Sequence, residues 1–169
     1  MIWSNIFQFS KGKYIFSKKD QVACILCATI EKNPAVPSLE VARTDLFAIA
    51  INLYPYNTGH LMIYPLRHLE DYRQLSDAEI LQLGKLTALC LEALTALYRP
   101  SGFNVGYNLG EHAGASIAHI HQHIIPRYSN ELGVVDLIGG AKVIIEDPNH
   151  TRDKVRAVVL ELGRDYQLT

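Results

Sequence analysis

The run His119-Ile120-His121-Gln122-His123-Ile124-Ile125 holds three of the chain's seven histidines, spaced two apart. In an extended strand that spacing puts three imidazoles on one face and Ile120, Gln122 and Ile124 on the other. Each neutral ring carries one donor and one acceptor, so lining them up is costly unless each finds partners. Two chemistries use such a face. Alternate histidines can converge on a metal ion. Alternatively, one imidazole attacks a phosphorus or acyl centre while its neighbours orient the substrate and move a proton. The plain alternative is a set of satisfied core or surface histidines. Cys24-x-x-Cys27 is a second candidate: two thiolates can open a zinc site, serve as a redox motif, or stay as reduced thiols. Gly114-Ala115-Ser116, just before the histidine run, offers backbone amides and a hydroxyl where small residues let an anion approach. The same three residues also serve as a tight strand connection.

These groups need elements to hold them. Glu40 to Arg43 and Leu46 to Leu53 read as strands, the second almost continuously apolar and therefore central. Tyr54-Pro55-Tyr56-Asn57-Thr58-Gly59 is dense in turn formers and leads into a strand from His60 to Tyr64 that Pro65 stops, so the pair reads as an antiparallel hairpin. Ser76-Asp77-Ala78-Glu79 is a capping box opening a long helix over 77–98, ended by Pro100 and Gly102. That helix is apolar nearly all round, which predicts cover on two sides: the sheet, and a second copy of the chain. Phe103 to Leu109 is the next strand, and the histidine strand closes at Pro126. A short strand from Lys142 to Glu146 follows, then a helix over 152–162 with Thr151 as its N-cap. A short helix opens near Cys24 and Cys27, and residues 1–20 form an N-terminal arm. His112 reads as a solvated loop residue or a contact to a distal phosphate, and His150 as surface. The order predicts an α+β domain over 21–169 on an antiparallel sheet of about five strands.

At 169 residues the chain can bury one core without disulfide or metal staples. The net charge is −1 and no basic stripe interleaves with aromatics, which argues against nucleic acid as a partner. The first thirty residues lack a signal-peptide pattern, and no continuous apolar run is long enough for a membrane span. Three cysteines, an odd number, fit a reducing cytoplasm better than a disulfide framework.

HIHQHII resembles the signature of the histidine triad superfamily, and the YPYNTGHLMIYP stretch and NLGEHAGAS loop resemble its upstream segments in order and spacing. The likeness spans roughly residues 24 to 146 and looks closest to the branch of fragile histidine triad hydrolases and bacterial diadenosine tetraphosphate phosphorylases. Gln122 departs from it, being polar where that family prefers an apolar residue, but it lies on the strand's opposite face. The resemblance implies nucleotidyl transfer or hydrolysis at an α-phosphate through a nucleotidyl-histidine, acting on dinucleoside polyphosphates, with nucleoside phosphoramidates or mere nucleotide binding as alternatives. By residue it implies His121 as nucleophile, and His123 and His60 beside the phosphate. Ser116 would donate to the phosphate or leaving group, with Gly114 and Ala115 lining it. Asn108 would contact phosphate and Asn52 ribose, while Leu46, Phe47 and Ile49 wall the base. It further implies a structural zinc held by Cys24, Cys27, His68 and His119, no organic cofactor, and a homodimer through the long helix and a neighbouring strand.

Overall fold

The computed structural model describes residues 22–129 and 146–169. The arm expected over 1–20 and nearly all of the strand expected over Lys142–Glu146 lie outside them. Five strands, β1 (Glu40–Arg43), β2 (Phe47–Ile51), β3 (Leu61–Pro65), β4 (Gly102–Tyr107) and β5 (Gln122–Arg127), form one antiparallel sheet in the order β1-β2-β3-β5-β4. Among the described residues three α-helices accompany it: α1 (Ile25–Ile30), α2 (Asp77–Tyr98) and α3 (Pro148–Leu162).

The sheet divides its residues by parity. Phe47, Ile49, Leu61, Ile63 and Ile124 face α2 and α3, where they pack with Leu86, Cys90, Leu94, Val155 and Val159 in the main core. Ala48, Ala50, Met62 and Tyr64 face the other way, against Leu26 of α1. All five residues of β2 are buried, so it is the central strand its composition predicted. Its alanines fall on the α1 side, and small side chains there leave room for a ligand.

The long helix occupies the residues expected and carries the expected capping box, Ser76 accepting from the Glu79 N–H and Glu79 from the Ser76 N–H. Its cover is one-sided in the single chain. Leu83, Leu86, Leu89 and Leu94 are buried, while Leu81 is 63% exposed and Ala88 and Ala96 are exposed too. By length and composition α2 is apolar enough to cross a membrane, yet its inner face is the core of the sheet domain.

Glu79 also takes two bonds of 2.7 Å from Arg67, which tie the loop after β3 to the start of α2. Arg67 and the Ser76 cap hold the Glu79 carboxyl at about 2, below its ordinary 4.5. A depressed carboxyl contributes stability in full above pH 4.5, lost as pH falls toward 2. Glu79→Gln keeps an oxygen for the Ser76 N–H but loses the charge that Arg67 and that N–H bond, so it should cost about 1–2 kcal/mol at pH 7, a figure kept small because Arg67 is half exposed. In urea unfolding, the gap between wild type and variant should close as the pH drops from 5 to 2. A gap that does not change with pH would refute this account.

The other strands shift by a residue or two at their ends, while both ends of the histidine strand differ from expectation for a reason visible in the backbone. The histidine strand joins the ladder at Gln122, not His119. β3 reaches Pro65, which has no N–H, and the Pro65 carbonyl takes its bond from the His119 ring at 3.0 Å. The Ile120 N–H goes instead to the Leu69 carbonyl. At the other end β5 runs through Pro126 to Arg127. The Pro126 carbonyl accepts from Asn57 Nδ2 at 2.8 Å, on the side where pairing with β3 has ended, so the missing N–H costs no ladder bond. The last helix starts at Pro148 with Asp147 as N-cap, earlier than the Thr151 expected. Thr151 lies inside it, where its hydroxyl bonds Glu146.

Candidate active site and metal cluster

The three histidines still lie along one side of the extended chain. The His121 ring is 4.7 Å from that of His123, His123 is 5.1 Å from His60, and His119 is 4.9 Å from His68. All but His68 are buried. Main-chain partners settle their tautomers. The Tyr56 N–H donates to His60 Nδ1 at 3.1 Å, so the His60 proton sits on Nε2. That Nε2–H donates to His123 Nδ1 at 2.9 Å, which places the His123 proton on its own Nε2. His121 Nδ1–H donates to the His119 carbonyl at 2.9 Å, leaving its Nε2 as a lone pair. Burial pushes the His121 pKa down, which keeps that ring neutral.

His119 uses its two nitrogens the other way round. Its Nε2–H is held by the Pro65 carbonyl, so Nδ1 presents a lone pair to Cys24 Sγ at 3.6 Å and Cys27 Sγ at 3.5 Å. His68 Nδ1 lies 3.3 Å from Cys27 Sγ, with its Nε2 near the Glu70 carboxylate at 3.4 Å. The four ligand atoms lie within 4.8 Å of one another. Tetrahedral zinc, with Zn–S about 2.3 Å and Zn–N about 2.0–2.1 Å, separates sulfur from nitrogen by about 3.6 Å. The sulfur–nitrogen distances here match. Both imidazoles also have their outward nitrogens oriented by an oxygen, as histidine ligands require, and burial holds His119 at about 4 and so neutral. The donor set fits zinc.

One cleft of about 1290 Å³ gathers Cys24, Cys27, His68, His119, His121, His123, Asn52, Asn108, Gly114, Ala115 and Ser116. His60 joins it through His123. Asn52 Oδ1 also accepts from the Tyr54 N–H at 2.9 Å, the hairpin-loop role open to it from sequence. Gly114 adopts φ +88°, a left-handed conformation that favours glycine, at the turn before Ser116. His112 is exposed. Gln122 points to the helix side as expected, where its amide accepts from Thr87 and donates to Tyr107, so it is satisfied.

The proposed base wall is corrected. Phe47 and Ile49 pack on the helix side, because they are odd positions of β2, and Leu46, just before the strand, packs against the same cluster. The apolar lining of the cleft comes instead from Leu26, Ala50, Leu53, Met62 and Ile117. Tyr56 was overlooked as well: its ring stacks on His60 at 5.2 Å and 17°. An aromatic four residues before a histidine was the available signal, hidden among turn formers.

A family model described as the HIT domain matches residues 33–130. An AP-4-A phosphorylase of Mycobacterium tuberculosis is 42% identical over 127 residues, covering 75% of this chain; the match spans 64% of that relative's length. An adenosine 5'-monophosphoramidase of Schizosaccharomyces pombe is 30% identical over 67% of this chain and 80% of its own. Among solved structures, a Zn-bound histidine triad family protein from Mycobacterium smegmatis superposes with a TM-score of 0.69 at 20% identity, covering 85% of this chain and 97% of that one. At that identity the superposition speaks to the fold.

Proposed function

The chain belongs to the HIT family, and on that premise we propose that it cleaves dinucleoside polyphosphates at the α-phosphate through a nucleotidyl-His121 intermediate. The observation that carries the reading is the bond from His121 Nδ1 to the His119 carbonyl, which aims a neutral Nε2 lone pair into the cleft. Nε2 attacks the α-phosphorus; an N–P bond forms, the P–O bond to the leaving nucleotide breaks, and its electron pair departs with that nucleotide. The His123 Nε2–H, held by His60 behind it, donates to a non-bridging oxygen as charge builds. Ser116 donates along the polyphosphate and Asn108 assists there, while the Gly114 and Ala115 N–H groups are held by the Glu111 and Gly110 carbonyls, so these two residues line the path without donating; Asn52 meets the ribose. Phosphate or water then attacks the phosphorus, the N–P bond breaks, and its electrons return to Nε2.

The 42% identical phosphorylase favours phosphate as acceptor, and the monophosphoramidase relative keeps an amine leaving group as the second reading. The four-residue cluster would hold a structural zinc, which ties α1, the loop after β3 and the approach to β5 together; no organic cofactor is needed. The open side of α2 fits a homodimer, working in a reducing cytoplasm that preserves the thiols. The test is product analysis with diadenosine tetraphosphate. ADP plus ATP formed only with added phosphate is the expected result. AMP plus ATP would make the chain a hydrolase, and no cleavage would refute the enzyme. The same preparation sedimenting as a monomer at micromolar concentration would refute the dimer.

A further inference from the structure

Past His123 the cleft meets a second cavity of about 220 Å³. Its floor is the edge strand β4, where Asn104, Gly106 and Asn108 alternate onto the face that carries His123. Tyr56, Asn108 and His123 line both spaces, so they join at the reaction centre itself. Gly106 stands directly opposite His123 in the ladder, and a Cβ there would meet nothing within 4 Å. The space above that position is open, and a side chain there would project into it. Tyr56 forms another side. One face of its ring is taken by His60, and the residue is 50% exposed. A whole small-molecule site occupies about 300–1,000 Å³; this space suits one flat ring system.

We propose that this cavity receives the second base of the dinucleoside polyphosphate, stacked against Tyr56 over Gly106, with the Asn104 amide toward its edge. The proposal rests on the function given above, and it makes the second nucleoside part of what the chain recognises. The first base lies in the cleft lined by Leu26 and Met62, the α-phosphate lies at His121, and the leaving nucleotide extends past His123.

The test compares diadenosine tetraphosphate with adenosine 5'-tetraphosphate, which has the same four phosphates and no second nucleoside. Stacking on an aromatic ring predicts a preference of about tenfold or more in kcat/KM for the dinucleoside. Gly106→Val puts a branched side chain into the cavity, where its Cβ meets nothing within 4 Å, and suits a strand; it should reduce that preference to within about twofold, acting through KM. Gly106→Ala is the milder variant and should give an intermediate ratio. The same preference should appear in Kd, measured with the His121→Ala chain. A wild type indifferent to the second nucleoside would overturn the proposal, as would a valine variant that weakens both ligands equally. If neither compound is cleaved and the Kd preference persists, the catalytic reading fails and the subsite stands.

Discussion

His121→Ala should lower kcat on diadenosine tetraphosphate by about 10⁴-fold or more, with nucleotide binding held within about threefold. The size of the loss follows from geometry. The His121 ring presents a deprotonated Nε2 into the cleft, with its Nδ1 proton anchored on a backbone carbonyl. The neighbouring rings are not placed to substitute. His123 has its Nδ1 occupied by His60 and its proton on Nε2, so it offers a donor where an attacker is needed. His119 spends Nε2 on Pro65 and turns Nδ1 toward sulfur. Binding survives because its apolar surface comes from Leu26, Ala50, Leu53 and Met62, none of which touches the reacting atom. The measurements are steady-state kinetics and calorimetric titration with a non-cleavable analogue. A variant that keeps a tenth of the wild-type rate would overturn the assignment of the nucleophile.

Removing the proposed zinc should have the second largest effect, this time on stability. Elemental analysis of chain prepared without chelators should find about one zinc per molecule. Metal bound at 100 times its dissociation constant contributes about 2.7 kcal/mol, and tighter binding contributes more. Chelator treatment, or Cys27→Ser, is therefore expected to cost about 3 kcal/mol or more in unfolding free energy. The local chemistry explains what an ion would add to the cluster. Without metal, burial and the neighbouring Cys24 push the Cys27 thiol up to about 11, so it stays protonated and contributes little. With metal, the thiols are ligands only as thiolates, so affinity should fall as the pH is lowered. A metal-free protein of unchanged stability would dispose of the cluster as a zinc site, leaving reduced thiols.

Local signals carried far in this chain. The capping box placed α2 to the residue, and the apolar run over 46–53 marked the strand buried on both faces. The spacing of two put the histidines on one side, and Gln122 fell opposite as parity required. What escaped was set by partners distant in sequence. Pro65 moves the start of β5, since its missing N–H stops the ladder and frees a carbonyl for His119, 54 residues away. Which face of β2 meets the ligand depends on where α2 packs, and periodicity alone is symmetric between Phe47 and Ala48. Asp147 rather than Thr151 caps the last helix, a choice between two good caps that tertiary contacts to Glu146 decide.

The groups that set the tautomers of His60, His119 and His121 are the Tyr56 N–H, the Pro65 carbonyl and the His119 carbonyl. All three belong to the main chain. Apart from a proline at position 56, no single substitution deletes any of them, so other codon changes reach the proton arrangement only by replacing a ring or displacing a strand. An alanine scan of the surrounding residues would therefore miss half of the machinery. Tyr56→Pro compared with Tyr56→Ala would expose it, because both lose the ring stacked on His60 and only the proline also takes away the hydrogen His60 depends on.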